Sequence, residues 1–192
     1  MRLAENSLPS QSLRSPASQL LDEKALTRFG ELGLAGRLLL TSDGSTVTNM
    51  LEQIAGEQIV TAQLDQSLTT VDKETKALMS FPAAGLVTRV TNLAGAATGK
   101  IYVRAKSALS MSAMPRVVRA DLLGTDEPIG RLLRKHRVES FREILSIHVP
   151  ERPFPLAPSR RYLIFIGGCP ALLIEESFTA ECFLLCPERS QR

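Results

Sequence analysis

A chain of 192 residues, 44% hydrophobic and 22% charged, is long enough for one domain with a sizeable core. Its net charge of +3 is too small to argue for a nucleic-acid partner. No apolar run approaches the roughly 20 residues that cross a bilayer. The N-terminus lacks the apolar core of a signal peptide, so a cytoplasmic protein is expected. Oligomeric state is not readable from the sequence.

Residues 1–17, rich in Ser and Pro, read as a mobile tail before a domain over 18–187, with a short tail at 188–192. Leu20, Leu21, Leu26, Phe29 and Leu32 have helical spacing and predict a helix over 18–33. A short apolar run, Leu38-Leu39-Leu40, leads into Thr41-Ser42-Asp43-Gly44-Ser45, a turn and N-cap for a helix through Val47, Met50, Leu51 and Ile54. Gly56 ends that helix. Residues 57–68 alternate as a strand. A polar link covers 70–84, and Pro82 stops any helix formed by residues 73–79. Residues 86–93 and 100–109 read as two strands joined by a Gly- and Ala-rich turn.

Residues 115–123 look helical, Gly124 closes that helix, and Pro128 suits the first turn of the next, to about Lys135. The basic cluster Arg131, Arg134, Lys135 and Arg137 fits the polar side and C-terminal end of this helix, where cations complement the dipole. Phe141, Ile144, Ile147 and Val149 fit helix or strand equally. Last come two apolar runs, Tyr162 to Ile166 and Ala171 to Ile174, separated by Gly167-Gly168, the signature of a β-hairpin. A slightly longer loop through Gly-Gly-Cys-Pro is the alternative. Short links between neighbouring strands favour antiparallel pairing, and the element order gives an α+β class rather than alternating βαβ units.

Cys169, Cys182 and Cys186 are an odd set without a matching Cys or His pair, and His136 and His148 are the only histidines. Ordinary reduced thiols are expected, with neither a structural zinc site nor a disulfide framework. No GxGxxG, P-loop or GxSxG motif occurs. An enzyme of this sequence is expected to work without metal or nucleotide cofactor.

The conspicuous residues are the carboxylate pair that ends the last apolar run. Side chains alternate along a strand, so Leu172, Ile174, Glu176 and Phe178 share one face, and Leu173, Glu175 and Ser177 the other. Glu176 thus keeps apolar company and needs a partner or a raised pKa. Glu175 reads as a bystander.

The string Leu122-Leu123-Gly124-Thr125-Asp126-Glu127-Pro128-Ile129-Gly130-Arg131 resembles the L-G-x-x-P-L-G-R element of chorismate lyases. Arg160-Arg161-Tyr162 through Gly168-Cys169-Pro170-Ala171-Leu172-Leu173-Ile174-Glu175-Glu176-Ser177-Phe178 resembles that family's R-R … G-x-P-L-L-L-T-E-x-F hairpin. Leu38 to Thr48 is similar to its opening LL…D-S-M-T, and Leu86-Val87-Thr88-Arg89-Val90 to the strand that carries a substrate-binding arginine. Lys106 falls where some members have a second arginine. The resemblance covers roughly residues 20–180. It is nearer the branch found in bacteria that make 4-hydroxybenzoate for phenolic lipids or quinones.

The resemblance implies a cofactor-independent lyase that removes pyruvate from chorismate. It also implies a mainly antiparallel sheet of about six strands with flanking helices around an internal pocket. Chorismate is a dianion, and a pocket for it needs a cationic end and a hydrogen-bonding end. Arg89 can grip the ring carboxylate through two parallel bonds, although its face-mates Val87, Thr91 and Leu93 equally allow a surface arginine. The backbone N–H of Ile129, at a helix start, is the matched second donor. Glu176 suits the hydroxyl and ether end, as hydrogen-bond partner or acid/base group, and an electrostatically assisted pericyclic path fits equally. Lys106 is a candidate for the enolpyruvyl carboxylate, yet it shares a strand face with Tyr102, Arg104 and Ala108, opposite Ile101, Val103, Ala105, Ser107 and Leu109, a pattern that puts it in solvent. Two other readings stand beside the lyase. One is a ligand-binding module like regulator effector domains that share this fold, disfavoured because only about 20 loosely composed residues precede the first helix. The other is a non-catalytic interaction protein.

Overall fold

The computed structural model describes residues 16–68, 72–79, 86–151 and 157–184. Both expected tails lie outside them, except that Pro16 and Ala17 open helix α1 (Pro16–Leu20), with Ala17 buried. Pro82 and Cys186 also lie outside the described residues.

The N-terminal helical region is three helices rather than one. Asp22 caps α2 (Glu23–Glu31) by accepting from the Ala25 N–H at 2.7 Å. Gly33, at φ 68°, starts α3 (Gly33–Thr41). This third helix absorbs the run at 38–40, with Leu39 and Leu40 wholly buried. Thr46 caps α4 (Val47–Ala55), accepting from the Asn49 N–H at 3.3 Å, and Gly56 closes it in the left-handed region.

Six strands follow, interrupted by helices: β1 (Ile59–Leu68), α5 (Lys73–Met79), β2 (Leu86–Gly95), β3 (Ile101–Ser110), α6 (Arg116–Gly124), α7 (Ile129–Lys135), β4 (Ser140–His148), β5 (Ser159–Ile166), β6 (Cys169–Phe178) and α8 (Ala180–Leu184). They form one antiparallel sheet in the order β1-β2-β3-β6-β5-β4. This is the expected α+β class and strand number. Gly167 and Gly168 turn the β5–β6 hairpin with φ of 57° and 78°, the two positive angles of a two-residue type I′ turn.

The region of Phe141, Ile144 and Ile147, ambiguous by sequence, is the edge strand β4, and Val149 lies just past its end. The register of β4 shifts between Ile144 and Ser146. The extra residue puts Ile144 opposite Tyr162 and Ile147 opposite Arg160, both on the inner face three residues apart. A bulge therefore imitates helical spacing.

The inner face of the sheet packs under α3, α4, α6 and α7, with Leu39, Leu51, Tyr102, Val103 and Phe178 at one end and Leu109, Val118, Leu122, Leu132 and Leu172 at the other. On the outer face α5 covers a smaller patch around Met79, Leu163 and Leu173. Glu57 pins the β2–β3 turn, accepting from the N–H groups of Ala97 (2.9 Å) and Thr98 (3.1 Å) and the hydroxyls of Thr98 (2.7 Å) and Tyr102 (2.8 Å). Among the described residues no helix is long and apolar enough to cross a membrane.

Candidate active site

Antiparallel register lines up inward-facing residues in rows across five strands. One row runs Arg89, Ser107, Ile174, Tyr162, Ile144 from β2 to β4. The next runs Thr91, Ala105, Glu176, Arg160, Ile147. Arg89 and Glu176 thus stand two strands and one row apart, roughly 12 Å between Cα atoms at ordinary sheet spacings. Between them on β3 lie only Ser107 and Ala105. These small side chains leave a hollow, and both line a cavity with Arg89 and Glu176 at its ends.

The roof is made where two helices begin. Thr46, Val47 and Thr48 at the start of α4 and Pro128, Ile129 and Gly130 at the start of α7 line the cavity opposite the sheet. A Cβ at Gly130 would come within 2.8 Å of Thr46 Cβ and Cγ2, so only glycine lets the two helix starts meet this closely. First-turn N–H groups lack a carbonyl one turn back, so Ile129 and Gly130 bring donors and a positive dipole end to the cavity.

Arg89 is 1% exposed. Its Nη2 donates to the Glu127 carbonyl at 2.8 Å and its Nη1 to the Leu122 carbonyl at 3.3 Å, so the guanidinium is seated against the turn before α7. Nε is buried without a partner. Among the described residues no carboxylate forms an ion pair with it. Burial lowers its pKa, with Asp126 pulling the other way. An arginine nevertheless stays charged, so this is a desolvated cation without a directly paired carboxylate among the described residues.

Glu176, 5% exposed, is partnered from the neighbouring strand. Arg160 Nε donates to Oε2 at 2.8 Å and the Tyr162 hydroxyl to Oε1 at 3.0 Å. Arg160 Nη1 also donates to the Ser42 carbonyl at 2.8 Å, tying the hairpin to the end of α3. Burial opposes the charge on Arg160, but Glu176 and then Tyr162 outweigh it and hold its pKa above the ordinary value. Burial, reinforced by the Glu176 charge, pushes the Tyr162 hydroxyl far up, so it stays a donor. A carboxylate offers about four acceptor positions; two are used here, leaving Glu176 able to accept from a ligand.

The two residues expected at opposite ends of a pocket, and Ile129, therefore share one cavity. Lys106 does not join them. It is exposed on the outer face of β3, opposite Glu175 on β6, and the sheet separates it from the cavity. The second arginine position of the resemblance is thus not filled by a cavity residue here, because the alternation of β3 turns it to solvent. Glu175 is exposed on the same outer face.

Sequence reasoning missed Arg160 and Tyr162 as partners of Glu176, and Arg142, which lines the cavity from β4. The hairpin motif contained the first two, but pairing across it depends on an irregularity between Ile164 and Phe165. A regular two-residue hairpin would have set Ser159 opposite Glu176. Of the thiols, Cys182 is buried, donates to the Tyr102 carbonyl at 2.9 Å and is pushed up to about 12 by burial; Cys169 is exposed and free.

The sequence model of the family described as "Chorismate pyruvate-lyase Rv2949c-like" matches residues 40–184. The chain belongs to this family. That span takes in α4, the whole sheet and every cavity residue named above. Among its relatives is a chorismate pyruvate-lyase of Mycobacterium leprae, 27% identical over 158 residues that cover 77% of this chain and 75% of that protein. A chorismate pyruvate-lyase of Mycobacterium tuberculosis is 23% identical over 165 residues, covering 79% of this chain and 82% of the relative. Among solved structures, the effector domain of PhnF from Mycobacterium smegmatis aligns with a TM-score of 0.49 and 10% identity over 71% of this chain and 90% of that one.

Proposed function

We propose that the protein eliminates pyruvate from chorismate to give 4-hydroxybenzoate, without a cofactor. The observation that carries this reading is Arg89. A guanidinium buried without an ion pair among the described residues, its Nε unmet, at the end of a cavity, is a costly arrangement for folding alone. An arriving carboxylate would supply the missing charge and acceptor. Membership of the lyase family names the anion.

In this reading the ring carboxylate lies on Arg89 and the Ile129 N–H, over the floor of Ser107 and Ala105. The ring then points its hydroxyl and ether end at Glu176. Elimination breaks the bond between the ring and the enolpyruvyl oxygen. The hydroxyl-bearing ring carbon loses its hydrogen, and the methylene of the departing enolpyruvate gains a proton. Atoms and electrons balance with no oxidant or reductant, and the ring becomes aromatic. Glu176 accepts a hydrogen bond from the hydroxyl that becomes the phenol. Arg160 and Tyr162 hold the Glu176 carboxylate in place.

The test is to incubate purified protein with chorismate and measure pyruvate and 4-hydroxybenzoate together. Equimolar formation of both above the spontaneous rate is expected. No turnover would refute the reading, and tight binding of an aromatic acid without turnover would point to a ligand-binding module instead.

A further inference from the structure

The second carboxylate of the proposed substrate still lacks a cation. One guanidinium meets one carboxylate. Arg160 is engaged by Glu176 and the Ser42 carbonyl, both at 2.8 Å. Lys106 is behind the sheet. A second desolvated anion in this cavity would therefore be uncompensated unless another group reaches it.

Arg142 is that group. It lies opposite Ile164 on β5, one row beyond Tyr162, on the inner face of the edge strand. It is half-buried and lines the cavity. Its charge is felt at the Tyr162 hydroxyl, whose pKa it lowers against the larger upward pull of burial. Among the described residues its one hydrogen bond, from Nη1 to the Asp43 carbonyl, is a long 3.5 Å, and it has no ion pair. Most of its donors are therefore unspent.

Arg142 also lines a second, outer groove of about 530 Å³ that adjoins the cavity through Thr46 and Gly130. Arg134 and Arg137 line this groove too, against one carboxylate, Glu139. In the basic cluster of α7, Arg131 pairs with Glu52 and Lys135 with Asp121, whereas Arg134 and Arg137 have no such partner among the described residues. The mouth of the cavity is thus positively charged, with Arg142 at the boundary between inside and outside.

We infer that Arg142 anchors the second, side-chain carboxylate of the dianionic substrate at the mouth of the cavity. This rests on the proposed lyase reading for the identity of the dianion. Pyruvate, the part that carries this carboxylate away, is then released at the open side while the ring remains inside.

The test compares two stable ligands by isothermal titration. One is 4-hydroxybenzoate, which has a single carboxylate. The other is 4-hydroxybenzoate bearing a carboxymethyl ether beside the hydroxyl, which has two. Arg142→Gln is expected to weaken the dicarboxylate roughly ten- to a hundredfold, the size of a lost charge-assisted bond, and to leave the monocarboxylate within about twofold. Arg142→Lys retains part of the difference, since charge remains without the fork. Equal weakening of both ligands, or of neither, overturns the inference. Chorismate turnover by the wild type is measured in parallel. Turnover with no selective loss in Arg142→Gln removes only the role of Arg142. Selective loss without wild-type turnover removes only the lyase reading, and failure of the wild type to bind either ligand removes both.

Discussion

Replacing Arg89 by methionine separates residues kept for binding from those kept for folding. The substitution removes two hydrogen bonds to carbonyls and the charge, and fills similar volume with apolar atoms. Bonds from a charged donor are worth about 1.5–3 kcal/mol each, but the desolvation cost of an ion without a counter-ion is several kcal/mol. The two nearly cancel, so Arg89→Met is expected to change stability by no more than about 1 kcal/mol, or roughly 2–4 °C in Tm for a domain of this size. Arg160→Met is the contrast. It leaves the Glu176 carboxylate buried with Tyr162 alone, and breaking one side of a buried ion pair costs about 3–5 kcal/mol. Urea and thermal unfolding measure both. Added 4-hydroxybenzoate at about 100 times its Kd stabilises the wild type by about 2.7 kcal/mol; Arg89→Met is expected to gain nothing. If Arg89→Met is as destabilised as Arg160→Met, Arg89 is structural and the main support for an anion site is lost.

Glu176→Gln keeps one oxygen to accept from Arg160, and its amide N–H can donate to the Tyr162 hydroxyl oxygen, so the fold is expected to persist while turnover of chorismate falls about 10²–10⁴-fold; unchanged kinetics would remove Glu176 from the site. Ala105→Phe places a ring in the hollow between Arg89 and Glu176, and should abolish 4-hydroxybenzoate binding in calorimetry; retained affinity would mean that the ligand lies elsewhere. Glu57 is held at about 2 by hydrogen bonds, first from the Thr98 hydroxyl, then Tyr102 and the Ala97 and Thr98 N–H groups. A depressed carboxyl stabilises fully above its unfolded value of 4.5 and loses that contribution as pH falls towards 2. Urea midpoints between pH 6 and 2.5 should therefore drop less steeply for Glu57→Gln than for the wild type, and parallel curves would contradict the assignment.

Much of the fold was legible because local rules agree with the tertiary outcome. The Gly167-Gly168 turn, the alternation around Glu176 and Gly56 after α4 all depend on residues within a few positions of each other, whereas the cap of α4 is Thr46, one residue past the expected turn. The same alternation that placed Glu176 inside placed Lys106 outside, and β3 bears out the alternation rather than the positional likeness. Residues 18–33 hold two helices and the start of a third because Asp22 caps a new helix after the first and Gly33 separates the next at a positive φ, neither of which periodicity registers.

What the sequence by itself determined was the facing of Glu176 and Lys106: alternation is a property of one strand, and it turned the first inward and the second outward, whereas the mixed face of Arg89 left that residue to the family resemblance. Which inward residues meet was decided only by the assembled sheet. An irregularity between Ile164 and Phe165 moves Arg160, rather than Ser159, opposite Glu176, and another between Ile144 and Ser146 disguises β4 as helical and conceals Arg142. Register depends on hydrogen bonding between strands, and one inserted residue changes every partner beyond it. The cavity itself exists because the long connection through α6 and α7 lets β6 pair with β3, so that Arg89 and Glu176 stand on either side of two small residues of β3.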